Sequence, residues 1–357
     1  MAGNTFGHIF RVTTFGESHG HGVGAVIEGC PPRISLSSED FDRDMARRRP
    51  GKSGIASPRK EMDKVEILSG IFEGLTTGVP IALLIRNKDA DSTPYKPLER
   101  LFRPGHADYA YFKKYGHFDH RGGGRSSARE TAARVAAGVV AGKILTPLGV
   151  KVVAYTIELG GVKAENIDLG SVEESPFFCP DSTATKKMEE VVKRAKEEGD
   201  SLGGIAEIRV IGCPAGLGEP VFDKLDAELA KAIMSIGTVK GVEIGEGFEA
   251  AMLKGSENND PITPKGFGTN RSGGILGGIS NGDDILLRAA MKPIPSISKE
   301  QDTVDREGHA AKITFTGRHD TSSIPRIIPV LEAMVKIVLA DHYLRSKAMT
   351  SCIERKS

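Results

Sequence analysis

Short apolar runs punctuated by glycine and proline dominate the first hundred residues. Segments 9–15, 24–28, 65–72 and 80–86 are rich in β-branched side chains and each is bounded by Gly or Pro, which predicts four strands. Between the second and third, the spacing predicts a helix over 37–49. Ser38 serves as its N-cap, acids lie in its first turn, and Arg47, Arg48 and Arg49 close it, a charge order that suits the helix dipole.

The clearest helical pattern runs from 127 to about 145. Ser127-Ala128-Arg129-Glu130 has the form of a capping box, and a run of Ala, Gly and Val follows. So many small side chains predict a helix packed closely on several sides, with its N-terminus inside the protein. A Lys- and Glu-rich stretch, 184–199, reads as a solvated helix. Segments 150–159, 204–210 and 311–315 read as strands, and 223–235 and 328–346 as amphipathic helices. There is no internal repeat, low-complexity tract or linker, so one domain over 1–357 is expected, with about 346–357 as a C-terminal tail. Strands and helices do not alternate in βαβ rhythm, which favours an α+β fold over a doubly wound sheet.

Composition narrows the functional classes. The 357 residues are 39% apolar and 27% charged, with 43 Gly and no Trp, so tight turns outweigh aromatic packing. A net charge of +1 offers no global attraction to nucleic acid or to an anionic membrane. Cys30, Cys179, Cys213 and Cys352 are widely spaced and form neither a zinc motif nor a disulfide framework. No signal peptide or spanning stretch is legible, and a cytoplasmic location is expected.

Several short patterns mislead. Gly16-Glu17-Ser18-His19-Gly20 fits the nucleophile elbow, but that turn must lead from a strand into a helix, and here a Gly-broken strand follows. Pro50-Gly51-Lys52-Ser53 ends like a P-loop, yet the first glycine of that motif would fall at Ala46. His19 and His21 do not by themselves make a metal site, and no metal is expected.

The remaining motifs share one chemistry. Arg47 to Lys60 holds six basic residues and no acid. Arg103 and His106 stand three apart around Pro104-Gly105. Arg121-Gly-Gly-Gly-Arg125-Ser126-Ser127-Ala128-Arg129 leads straight into the small-residue helix, and a glycine loop with hydroxyls and arginines at a helix start is an anion site. Buried arginines there need counter-charge, which a bound anion would supply. Gly317-Arg318-His319-Asp320 adds another cationic group and a carboxylate. Imidazoles among bound anions would have raised pKa values, suiting a general acid that protonates a leaving phosphate. The residues alone point to an enzyme acting on a polyanionic, phosphorylated small molecule, and they do not disclose a flavin.

Taken together, the chain resembles the chorismate synthase family. The resemblance rests on Phe15–His19–Gly20, Arg47-Arg48-Arg49-Pro50-Gly51, Arg103–Asp108, Arg125–Thr131, Pro214–Pro220, Lys240–Gly245, Gly273–Gly278, Met291-Lys292-Pro293 and Gly317–Asp320, in order from residue 3 to about 345. It implies helices packed between two antiparallel β-sheets, a homotetramer, and bound reduced FMN (FMNH2). The implied reaction is 1,4-trans elimination of phosphate from 5-enolpyruvylshikimate 3-phosphate (EPSP) to give chorismate, without net redox change. His106 would protonate the leaving phosphate, His19 would give a proton to the flavin, and Asp320 would assist deprotonation. Arg48, Arg49, Arg103, Arg129 and Ser18 would hold the substrate. Arg125, Ser126, Ser127, Gly237, Thr238, Gly277, Lys292, Pro293, Ile294, Pro295, Ser296 and Arg318 would contact FMN. NADPH is implied as a reductant in some members, with Arg48 as a contact.

Two positions depart from the family pattern: Gly54 where many members carry an arginine, and Ser235-Ile236-Gly237-Thr238 where Ser-Ile-Asn-Ala is usual. Two other classes compete with the lyase. A silent relative that only binds flavin has no need of His19, His106 and Asp320 together, and a nucleic-acid binder would interleave aromatics with its basic residues.

Overall fold

The computed structural model describes residues 3–49, 63–88, 92–315 and 320–350. Five strands, Thr5–Phe6 (β1), Arg11–Gly16 (β2), Gly22–Glu28 (β3), Val65–Ile67 (β4) and Ile81–Arg86 (β5), form an antiparallel sheet in the order β1-β2-β3-β5-β4. Alternation decides its inner face. Val23, Ala25 and Ile27 of β3 pair with Ile85, Leu83 and Ile81 of β5, and all six are fully buried.

A second antiparallel sheet contains Lys151–Leu159 (β6), Val162–Lys163 (β7), Gly204–Ile211 (β8), Val239–Ile244 (β9) and Ile285–Met291 (β10), ordered β9-β10-β8-β6-β7. Its inward set is again one register: Ala206, Ile208 and Val210 opposite Ala289, Leu287 and Ile285.

Between the sheets lie Thr131–Leu145 and Ile324–Thr350. With Asp42–Arg48, Asp108–Tyr115, Ser182–Glu197 and Leu225–Met234 they complete, in chain order, helices α1 (Asp42–Arg48), α2 (Asp108–Tyr115), α3 (Thr131–Leu145), α4 (Ser182–Glu197), α5 (Leu225–Met234) and α6 (Ile324–Thr350). Helix α3 packs on the first sheet, α6 on the second, and the two helices on each other. Twelve of the fifteen residues of α3 are buried, as expected of a helix apolar on all sides. The α+β class and the sandwich arrangement expected from the sequence are those of the structure.

Two carboxylates of α6 tie the layers together. Glu332 receives both terminal nitrogens of Arg47 at 2.6 and 2.9 Å and the amide of Ala154 at 3.0 Å, joining α1, α6 and β6. Asp341 accepts from the amides of His8, Ile9 and Phe10, so the turn before β2 is pinned to α6.

Local details differ from the sequence reading for identifiable reasons. The first helix begins with a 3-10 turn, Ser38–Phe41, and its capping box is Ser37 with Asp40 rather than a cap at Ser38. The helix read as 184–199 starts two residues earlier because the Asp181 carboxylate caps the amides of Thr183 and Ala184. Segment 65–72 divides into β4 and a separate short strand, Ile71–Phe72, with Gly70 between at φ 88°. His19 and His21 occupy the turn that joins β2 to β3, and this strand–turn–strand path is not that of a nucleophile elbow. Among the described residues, no helix is long and apolar enough to cross a membrane.

The close approach of α3 and α6 depends on Gly138. A Cβ there would lie 2.4 Å from the Cβ and 2.6 Å from the Cα of Ala333. Gly138→Ala is therefore expected to destabilise the protein by about 1–3 kcal/mol through overpacking. Gly142→Ala, whose Cβ would meet only the Lys336 Cδ at 3.6 Å, is expected to stabilise by up to about 1 kcal/mol. Urea unfolding of the two variants checks both signs.

Candidate active site

The site is built from buried arginines whose counter-ions come from unexpected places. Arg48, at the end of α1, is 1% exposed. It donates from Nε to Thr131 Oγ1 at 3.1 Å, from Nη2 to the Ala128 carbonyl at 2.9 Å and from Nη1 to Asp63 at 3.1 Å. The other Asp63 oxygen pairs with Arg129, which also donates to Asn87 Oδ1 at 2.8 Å. Asp63, itself 5% exposed, thus bridges the C-terminal end of α1 and the approach to α3. Burial and the neighbouring Arg326 guanidinium push Arg48 below the ordinary arginine range, against the pull of Asp63. Like charges facing one another across a buried space favour an anion between them.

A second cluster forms around the turn before α2. Asp108 accepts from Arg103 Nε at 2.7 Å and Nη2 at 2.8 Å, and lies 2.8 Å from His106 Nδ1. With Nδ1–H given to Asp108, Nε2 is the atom of His106 available for proton transfer. Burial, with Arg103 close by, lowers the His106 pKa, and Asp108 opposes the shift. The expected upward shift needs a bound anion to outweigh burial. The Asp108 carboxyl lies well below the usual range: burial works to raise it, but the hydrogen bonds from Arg103 and His106 outweigh that.

The glycine loop fits against both histidines. Gly122, Gly123 and Gly124 are buried with φ of 59°, 82° and 52°. A Cβ at Gly122 would come within 2.2 Å of His19 Cδ2 and 2.4 Å of its Nε2, and one at Gly123 within 3.0 Å of Arg103 Nη2 and 3.1 Å of His106 Cε1. His19 is held by Ser92 Oγ at 2.8 Å from Nδ1 and by the edge of Tyr95.

These groups surround a cavity of about 740 Å³. Its walls carry eight cationic side chains (Arg48, Arg103, Arg125, Arg129, Arg134, Lys231, Lys292 and Arg326) against three carboxylates, Asp63, Glu130 and Asp320. The near-neutral chain concentrates positive charge here, as the sequence reading required.

Of the residues singled out from the sequence, His106, Asp320, Arg48, Arg103, Arg129, Arg125, Ser126, Ser127, Gly237, Thr238, Lys292, Ile294, Pro295 and Ser296 line this one cavity. His19 and Ser18 lie behind Gly122 rather than on the wall, because the glycine loop covers them. Arg49 and Pro293 are not on it, and Gly277 is exposed on the hairpin between Ile275–Leu276 and Ile279–Ser280. Arg318, with Gly54, Lys52 and Arg59, lies outside the described residues.

Residues 10–344 match the family model for chorismate synthase. The chain is 61% identical to the chorismate synthase of Syntrophus aciditrophicus, over 98% of this chain and all of the relative, and 60% identical to that of Desulfatibacillum aliphaticivorans, over 97% and 96%. A crystal structure of chorismate synthase superposes with a TM-score of 0.75 at 34% identity, covering 96% of this chain and 93% of the other. The chain belongs to the chorismate synthase family. It is an enzyme of that family, whose members are carbon–oxygen lyases of aromatic biosynthesis at the end of the shikimate route.

Within this chorismate synthase site, sequence reasoning missed Asp63, Asp108, Asn87, Arg134, Lys231, Ser323 and Arg326. The counter-charge for the buried arginines was assigned wholly to a ligand, whereas Asp63 and Asp108 supply part of it. The available signal was the rule that a buried guanidinium needs a carboxylate. Asp108 follows His106 by two residues, and Asp63 follows the basic segment by three.

Removing the Asp108 charge takes away the group that holds the His106 pKa up. Asp108→Asn is expected to shift the His106 titration further below the ordinary value, read by NMR of the imidazole. It is also expected to destabilise the fold by roughly 3–5 kcal/mol near neutral pH, since Arg103 loses its buried partner. The sign follows from linkage: the depressed Asp108 pKa contributes stability above the unfolded carboxylate value of about 3.9, and that contribution is lost as pH falls toward the folded value.

Proposed function

We propose that the chain converts EPSP to chorismate by 1,4-trans elimination of phosphate, with reduced FMN bound in the same cavity. The observation that carries this is the wall of eight cations enclosing His106. The substrate bears a phosphate and two carboxylates, and few small metabolites match so cationic a chamber.

Arg125 Nη1 and Thr238 Oγ1 are buried, in residues that line the cavity, without a hydrogen-bond partner among the described residues, as polar atoms awaiting a ligand would be. Gly237 has open space where a Cβ would stand, so the departure from asparagine adds room rather than strain. These features fit FMN, with Arg125, Ser126, Ser127, Gly237, Thr238, Lys292 and the stretch Ile294, Pro295 and Ser296 as its holders. When bound, reduced FMN lends electron density to the substrate and recovers it, which is why no net redox change results.

The protein's own groups do the rest. Arg48 and Arg129, locked by Asp63, and Arg103, locked by Asp108, orient the anionic groups of EPSP without reorganising. His106 holds a proton at Nε2 for the phosphate as the C3–O bond breaks. Asp320 assists deprotonation as the C6 hydrogen leaves. His19, whose Nε2 lies behind Gly122, would serve as the flavin's proton source only from behind the cavity wall.

We read the chain as one domain acting as a cytoplasmic homotetramer. Phe222, Phe248, Met252 and Ile262 are 73–88% exposed, an apolar surface that self-association would cover. Gly277 would then meet a flavin only from a neighbouring subunit. NADPH is a candidate reductant in this reading, as it is in some members of the family, and a contact at Arg48 would share the substrate's cavity.

Phosphate release and chorismate formation from EPSP under anaerobic conditions, only when dithionite-reduced FMN is present, is the expected result. Folded, FMN-bound protein without release would make the chain a binding relative. His106→Ala is expected to cut turnover by about 10²–10⁴ with FMN affinity nearly intact. Unchanged turnover would remove His106 from the mechanism.

A further inference from the structure

The start of α6 opens onto the cavity beside the arginine clusters. Ser323, Arg326 and Ile327 all line it, and the positive end of a 27-residue helix faces it. Ser323 is 8% exposed and its Oγ has no hydrogen-bond partner among the described residues. Arg326 gives Nη1 to Asp320 at 2.7 Å, while its Nε is buried and has no hydrogen-bond partner among the described residues. Its charge adds to burial in working against the Arg48 cation. The segment is held in place: the Thr321 carbonyl accepts from the Leu202 amide at 2.8 Å, beside β8.

A buried hydroxyl, a half-satisfied guanidinium and a helix N-terminus converge on one wall. A buried donor left unmatched is costly, and all of these donors point to the same class of partner, a compact anion. The phosphate already has its place at Arg103 and His106 in the function proposed above, on which this inference rests. We propose that Ser323 and Arg326 seat a carboxylate of the substrate. The ion pair to Asp320 then holds the guanidinium at the cavity wall.

Ser323→Ala and Arg326→Gln in the FMN-bound protein test this by steady-state kinetics with reduced FMN and by direct EPSP binding. The expected result is a rise in KM of about 10–100-fold for Arg326→Gln, and about two- to tenfold for Ser323→Ala. The loss should fall on KM far more than on kcat, with FMN affinity unmoved. Arg326→Lys should recover only part of it, because an ammonium lacks the fork.

Binding of shikimate 3-phosphate, which lacks the enolpyruvyl group, tells the two carboxylates apart. An equal loss for both ligands assigns the ring carboxylate, and a loss for EPSP alone assigns the enolpyruvyl carboxylate. Were kcat to fall while EPSP affinity stayed unchanged in both variants, Arg326 would be a support for Asp320 and the seat would be refuted. Wild-type protein that binds FMN but neither ligand would instead overturn the proposed function itself.

Discussion

A guanidinium buried without a carboxylate is among the costliest things a fold can contain, and this structure is arranged around meeting that requirement. Arg47, Arg48, Arg103 and Arg129 are each 7% exposed or less, and each is paired with a carboxylate from elsewhere in the chain. Removing one partner of such a pair costs several kcal/mol, because the remaining charge stays buried. The pairs therefore constrain the backbone. Asp63 holds a positive φ of 43°, a strained conformation for a residue with a side chain. Its bond to two arginines is what makes that conformation worth keeping.

The sandwich supplies the rigidity that this arrangement needs. Helix α3 is buried at twelve of its fifteen positions and cannot be displaced without exposing the first sheet and the face of α6, so the arginine just before it is fixed by the core rather than by a loop. Arg47 and Arg48 are sequence neighbours with different duties. Arg47 turns toward α6 and Glu332 to join the layers, while its neighbour turns into the cavity. A helix of seven residues thus supplies a packing contact and a cavity wall from adjacent positions.

Much of this was legible in the residues. Alternation located the inner strands, because a one-residue slip would have put charge in the core. The glycine loop and the start of the small-residue helix marked a segment that does line the cationic cavity, because arginines beside such a helix need counter-charge. What could not be read was pairing across the chain. Nothing local says that Asp63 would bridge Arg48 and Arg129, or that the beginning of α6 would reach the same chamber. Those juxtapositions are set by the tertiary packing of the two sheets. The helix caps show the same limit on a small scale, since Asp181 rather than a later residue starts α4 through hydrogen bonds visible only in three dimensions.

The protonation of His106 ties the charge arrangement to the chemistry. Without a ligand, burial beside Arg103 favours the neutral ring, which cannot act as an acid. In the function proposed above, an incoming phosphate would reverse the balance, because its charge would offset the arginines and favour the imidazolium. Substrate binding and proton uptake are then linked, each strengthening the other by the same factor. In the proposed mechanism the acid would take up its proton as the leaving group arrives to receive it. Asp108 sets how far the ring must be shifted: with its charge in place a single phosphate has less to overcome. The carboxylate that keeps Arg103 buried is thus the same one that keeps His106 within reach of its charged form.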